Sequence, residues 1–251
     1  MDEPNSRCAT VWLLDINRVT ELAVADFEQR LTASEARRYA NFARRQRKRQ
    51  FLVGRMLLRL AVSKMINVPV HEITVLDRVG SAPELFVAHK QRLPPNFSIS
   101  HTRDWVGCAL STQVMLGFDI EINDPDRDIV ALSQAAFEPD EQLWLMQQPD
   151  ADRIAAFYRL WSTREALYKL MSGLGREMPS SSLKRALDHD DSQGWYHRAV
   201  MHDRLTGIVC SDKSISKLEK VVLAGLTPAD FLAPPEPLMG NGKQLVVTDI
   251  P

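Results

Sequence analysis

A chain of 251 residues with 45% apolar and 25% charged side chains has the make-up of an ordinary folded protein, long enough for one large or two small domains. Its 31 basic and 32 acidic residues leave a formal charge of −1, which argues against a general nucleic-acid binder, and no apolar run approaches membrane-spanning length. Three widely spaced cysteines without metal-type spacing fit reduced thiols, and the acidic, polar opening Met1-Asp2-Glu3-Pro4-Asn5 is unlike a secretory signal, so a cytoplasmic protein is expected.

In chain order, residues 10–16 are β-branched and aromatic enough for a buried strand. A helix is expected soon after Leu31, because Thr32 followed by Glu35 makes a capping box. The run Arg44-Arg45-Gln46-Arg47-Lys48-Arg49 packs five cations into six positions. It reads as a solvated face, as a nucleic-acid contact, or as cations divided between a small phosphate ligand and an acidic protein. From Phe51 the positions Phe51, Gly54, Leu58, Ala61 and Met65 form one helical stripe, which predicts a core-facing helix with Arg55 and Arg59 turned away from that core. Asn67-Val68-Pro69 ends it.

Five short strands follow, at 73–76, 84–88, 97–100, 106–110 and 116–121, separated by Gly and Pro connections that suit an antiparallel sheet. Helices return at 129–136, 139–147 and 152–172, the last with Leu160, Thr163, Leu167 and Met171 as its buried stripe. Strand-like runs at 195–201, 206–209 and 221–226 precede a Pro-rich end. The order predicts an α+β protein of two similar halves, each a small, mostly antiparallel sheet packed with helices. The boundaries read as 1–112, 113–232 and an irregular tail at 233–251.

Three stretches carry chemistry. On a strand, Asp119 and Glu121 of Gly117-Phe118-Asp119-Ile120-Glu121 share one face, while Phe118 and Ile120 take the other. In Trp161-Ser162-Thr163-Arg164-Glu165-Ala166-Leu167-Tyr168-Lys169, Glu165 and Lys169 are one helical turn apart on one face. If that helix meets that strand, three carboxylates and an ammonium converge, which suits a hard cation such as Mg²⁺ and chemistry on a phosphate ester or anhydride. Taken singly, a D-x-E strand is also ordinary solvated surface, and E-x-x-x-K is also a simple surface ion pair. The third stretch, Asn96-Phe97-Ser98-Ile99-Ser100-His101, sets small hydroxyls on one strand face and a histidine at its end. These are donors suited to phosphate, or the polar face of an edge strand.

In this order and spacing the three motifs resemble the 4′-phosphopantetheinyl transferases, and the length resembles the single-chain Sfp type, in which two similar halves form a pseudodimer. The matching motifs span residues 31–175, and W-x-x-[KR]-E-A-x-x-K together with G-x-D-I-E is the specific part. The resemblance implies Mg²⁺-dependent transfer of the phosphopantetheine arm from coenzyme A to a serine hydroxyl of an apo acyl or peptidyl carrier protein, releasing adenosine 3′,5′-bisphosphate. It implies Asp119, Glu121 and Glu165 as metal ligands, and Glu165 also as the base for the serine. Lys169 would face the reacting phosphate. Ser100 and His101 match coenzyme A phosphate contacts, Arg38 aligns with a family cation, and the stretch from Arg49 to Arg55 falls in the family's basic region. A monomer acting without nucleic acid or membrane follows.

Two departures are notable. Glu35 stands where some relatives carry lysine, and Ser81-Ala82 replaces a basic residue that often follows the glycine at position 80. The rival readings are a Mg²⁺-dependent phosphodiesterase or nuclease, and a non-catalytic carrier-binding module.

Overall fold

The computed structural model describes residues 7–77, 82–88, 93–179, 183, 194–232 and 246–249. Its contacts divide the chain into two compact units: Cys8–Gln113 joined by the chain from Leu218 onward, and Val114–Lys217 with Arg7. Each is a small sheet of antiparallel strand pairs packed with helices, so the α+β class read from the sequence is the one the chain adopts.

The junction lies one residue beyond the expected boundary, but the second half does not run on to 232. Strand β9 (Lys217–Leu223) pairs beside β1 (Cys8–Asp15) in the first unit's sheet. Val221, Leu226 and Phe231 then complete the first unit's core. A strand's alternation records which face is buried and not which sheet it joins, so this return is invisible locally. Of the tail expected to be irregular, Val246–Asp249 forms β10, antiparallel to β9, and 233–245 lies outside the described residues.

In the first unit the sheet order is β10-β9-β1-β5-β4, with β4 at Asn96–Thr102 and β5 at Trp105–Ser111. Helix α3 (Arg45–Ile66) packs against it, with α1 (Glu21–Glu28) and α2 (Ala33–Ala40) against α3, and β2 (Ile73–Leu76) and β3 (Glu84–Val87) form a separate antiparallel pair. The Thr32–Glu35 capping box of α2 is present. The long helix starts within the basic run and stops at Asn67, whose φ of 54° breaks the helical path just before Val68-Pro69.

Arg55 and Arg59 are not turned to solvent as expected. Both are buried, because α2 and the end of β2 cover their side of α3 and supply carboxylates: Arg59 and Arg55 reach Glu35, and Arg55 also reaches Asp77. Burying a guanidinium is costly unless it is paired, and these are.

The second unit has three antiparallel strands in the order β6 (Leu116–Ile122), β8 (Leu205–Ser211), β7 (Tyr196–His202). Helix α6 (Asp150–Gly173) lies along β6 and β8, with α4 (Ile129–Ala136) and α5 (Pro139–Met146) beside it. Leu160, Thr163, Leu167 and Met171 are buried, as the stripe predicts. Among the described residues no helix is long and apolar enough to cross a membrane.

Candidate active site

The geometry of the second unit starts from a missing side chain. A Cβ added to Gly117 on β6 would stand 2.0 Å from the Ala166 carbonyl oxygen and 2.5 Å from the Leu170 nitrogen, so only glycine lets α6 lie this close to the strand. Asp119 and Glu121 are two and four residues further on, on the same strand face, and so are carried toward α6. Across this short gap the Lys169 ammonium donates to Asp119 Oδ1 at 2.8 Å and to the Phe118 carbonyl at 2.9 Å. Asp119 is buried while Lys169 is only partly so, which places a well-desolvated ion pair at the edge of the helix–strand seam.

Glu165 lies one turn before Lys169 on the same helical face and is half-buried, as is Glu121. The expected set therefore shares one seam, with Asp119 and Lys169 in direct contact. The three carboxylates do not close into a tight ligand group, for no cluster of three His, Cys, Asp or Glu side chains suited to hold a metal occurs among the described residues. Carboxylates repel one another, and here the Lys169 ammonium already balances Asp119. In kind the donors fit a hard divalent ion: all are carboxylate oxygens, and the buried Asp119 Oδ2 accepts no hydrogen bond.

Cys210 sits on β8 opposite Gly117, and burial first, then the Asp119 charge, push its thiol far above the usual range. It stays protonated and is no nucleophile. The glycines Gly173 and Gly175 at the end of α6 would let a ligand or another backbone come close. Gly175 instead ends the helix, with φ of 64°, while the Arg176 amide caps the Met171 carbonyl.

In the first unit the basic run divides by helical direction. Arg47, Phe51 and Arg55 recur every four residues along one side of α3, whereas Arg45 and Arg49 point about 200° away. Arg49 is occupied on that second side, donating to the Ile16 and Val19 carbonyls and pairing with Glu21, which also takes Arg45. Gln46 and Asp104 complete the wall of an open cleft of about 580 Å³ there.

On the first side Arg38 and Arg55 share Asp77 Oδ1 at 2.6 and 2.7 Å and both lie over the Phe51 ring, while Arg47 lies over Phe42. Burial, then the nearby Arg38 and Arg55 charges, lower the Arg47 pKa. Burial likewise lowers that of Arg55, against the opposing pull of Asp77 and Glu35. Three arginines, Arg38, Arg55 and Arg59, thus meet two carboxylates, Asp77 and Glu35, and with Arg47 nearby a local surplus of positive charge remains. Arg38, with a side chain 42% exposed, is the accessible member among those paired to acids, and Arg55 is sealed in. Glu35 does not oppose a ligand phosphate as its position suggested, since it is fully buried and taken up by Arg59 and the α2 cap.

Strand β4 runs past its expected end, so Ser100 and His101 are consecutive strand residues and leave on opposite faces. Ser98, Ser100 and Thr102 are buried on one face. His101 shares the other with Ile99, which packs opposite Gly54, and the Gln50 side chain bonds the Arg103 carbonyl. His101 therefore lies level with the Gln50–Gly54 turn of α3. Ser81 falls outside the described residues. Sequence reasoning named Arg47 only as one of the basic run, although its spacing with Phe51 and Arg55 could have singled it out, and it missed Asp77 and Glu141, for which there was no local signal.

Comparison with known proteins identifies the family of both halves. A model of the 4′-phosphopantetheinyl transferase superfamily matches residues 115–218, and one of the 4′-phosphopantetheinyl transferase N-terminal region matches residues 21–113. The chain is 32% identical over 165 residues to the 4′-phosphopantetheinyl transferase psf-1 of Bacillus pumilus, covering 65% of this chain and 64% of that one. It is 30% identical over 149 residues to AcpT of Salmonella typhimurium, covering 59% and 72%. It is 29% identical over 145 residues to Sfp of Bacillus subtilis, covering 57% and 59%. The alignments span from 51% to 76% of the length of the curated relatives. With both halves matched in order and the motif residues seated along one seam, the chain belongs to the 4′-phosphopantetheinyl transferase superfamily and is of the Sfp-like type.

Proposed function

We propose that this protein transfers the phosphopantetheine arm of coenzyme A to a serine hydroxyl of an apo acyl or peptidyl carrier protein, in the manner of a holo-carrier-protein synthase. The observation that carries the reading is the Lys169–Asp119 contact beneath Glu165, an acid–ammonium set held along one seam by Gly117.

In the reaction the serine Oγ attacks the phosphorus that bears the pantetheine arm. The new O–P bond forms as the anhydride O–P bond breaks, and the electron pair leaves with adenosine 3′,5′-bisphosphate. A serine hydroxyl is a weak nucleophile, so its proton must go to a base, and the half-buried Glu165 carboxylate is suited to take it. Lys169, fixed by two acceptors, holds positive charge where negative charge grows on the phosphate. Asp119, Glu121 and Glu165 would hold Mg²⁺, which when bound supplies Lewis-acid stabilisation of the anhydride oxygens.

Within the first unit, Arg38 and Arg47 supply positive charge suited to a ligand phosphate, with His101 on the α3 side of β4. Arg49 and Arg55 act instead in holding the fold, given their internal partners. A monomer in a reducing cytoplasm is part of the same proposal, and the free thiols of Cys8, Cys108 and Cys210 suit such a compartment.

The test is incubation with coenzyme A, Mg²⁺ and a panel of apo carriers, read by intact mass. A gain of one phosphopantetheine on a carrier serine is the expected result. No gain on any carrier, together with cleavage of a nucleic acid or phosphodiester, overturns the reading in favour of a hydrolase.

A further inference from the structure

Glu141, in the first turn of α5, is fully buried, yet it carries a carboxylate. Three donors converge on it: the Glu138 amide at 2.9 Å, the Leu183 amide at 2.8 Å and the Arg164 guanidinium at 2.5 Å. Arg164 also lies 5.8 Å from the centre of the Phe137 ring, and that ring packs on Phe157 and Trp161 of α6. The corner between α4 and α5 is thereby clamped to α6 at the turn that leads into Glu165.

A buried ion pair is a poor means of simply holding two helices together, since a well-packed apolar pair does that at least as well. What the pair adds is direction. A guanidinium–carboxylate contact restricts rotation of the helix about its axis, which a greasy contact permits. Successive helical residues point about 100° apart, so Glu165 points about 100° from Arg164 and about 40° from Lys169. Arg164 is tied to α5 and Lys169 to β6, and Glu165 points between the two tethers. Rotation of α6 by one residue's fraction would carry the Glu165 carboxylate off the seam.

We propose that Glu141 and Arg164 are a positioning pair that sets the rotation of α6 and so aims Glu165 at the incoming hydroxyl. The proposal rests on the transferase reading for its kinetic consequence but not for its structural one. Glu141→Gln keeps the shape and one acceptor oxygen, enough for one of the two backbone amides, and removes the charge that holds Arg164. It is expected to lower kcat about ten- to a hundred-fold, the usual scale for a misplaced group. The KM for coenzyme A should change much less than kcat, since the pair touches none of the first unit's proposed phosphate contacts, Arg38, Arg47 and His101. Arg164→Lys should recover part of the loss that Arg164→Met produces, and Glu141→Gln with Arg164→Met should be no worse than the poorer single variant.

A folded Glu141→Gln or Arg164→Met protein with wild-type kcat overturns the proposal, even if its melting temperature falls. Crystal structures of wild type and Glu141→Gln decide the same point without turnover. Altered positions of Glu165 and Lys169 relative to Asp119 support the pair, and unchanged positions overturn it. Should wild type modify no carrier at all, the transferase reading fails while this structural comparison still judges the pair.

Discussion

Both units set one long helix on antiparallel strands, and they differ in how near helix and strand come. In the first unit a Cβ added to Gly54 of α3 would find the Ile99 side chain at 3.8 Å, ordinary contact across an apolar layer. In the second, a Cβ at Gly117 of β6 would be driven to 2.0 Å from the α6 backbone. The wider spacing admits a full layer of side chains, so the first unit builds a core and buries its arginines against Glu35 and Asp77. The closer one leaves no room for that layer at its tightest point, and beside it the Lys169 and Asp119 side chains meet across the gap. The close approach, more than the shared α+β plan, creates the site.

Exchanging the glycines should break the comparison most sharply. Gly117→Val must force α6 off β6, and is expected to abolish activity and to cost the several kcal/mol typical of severe overpacking, read by thermal melts. Gly54→Ala meets only ordinary contact and improves helix propensity by about 1 kcal/mol, so it should leave stability unchanged or raised. A tolerated Gly117→Val, or a ruinous Gly54→Ala, would show that spacing is not the difference between the units.

The two charge sets should then part company by readout. Glu165→Gln is expected to lower transfer about 10²-fold or more while the melting temperature holds. Glu35→Ala strands buried arginines and is expected to cost about 3–5 kcal/mol in denaturant unfolding with little change in kcat of the folded fraction. A kinetic effect of Glu35→Ala at equal folding would place the first unit's network in the chemistry.

The smallest effect concerns Tyr39, whose hydroxyl donates to Glu28. Burial, then that bond and the Glu28 charge, raise its pKa from 10.0 to about 12. The folded protein binds this proton more tightly than the unfolded chain, so the contribution to stability is full below pH 10 and is lost as pH rises through about 12. Tyr39→Phe should reduce the alkaline slope of stability only in that window. An identical slope for the variant would contradict the assignment.

What was legible in the sequence was local. The Thr32–Glu35 cap, the shared face of Asp119 and Glu121, and the one-turn spacing of Glu165 and Lys169 follow from helical and strand periods, and all three appear. Arg55 and Arg59 were misread because off-stripe helical positions look solvent-facing until a second helix covers them, and nothing near them in sequence announces Glu35 or Asp77 as partners. The return of the 218–232 stretch to the first sheet and the role of Glu141 share that cause, since each depends on residues distant in the chain.

The central claim is that the ammonium and carboxylates of the β6–α6 seam perform phosphopantetheine transfer. Single-turnover transfer to an apo carrier, measured for wild type and for Lys169→Met with matched circular dichroism, tests it most directly. Rapid modification by wild type and a loss of about 10²-fold or more in the variant is the predicted result. Equal rates for the two proteins would contradict it.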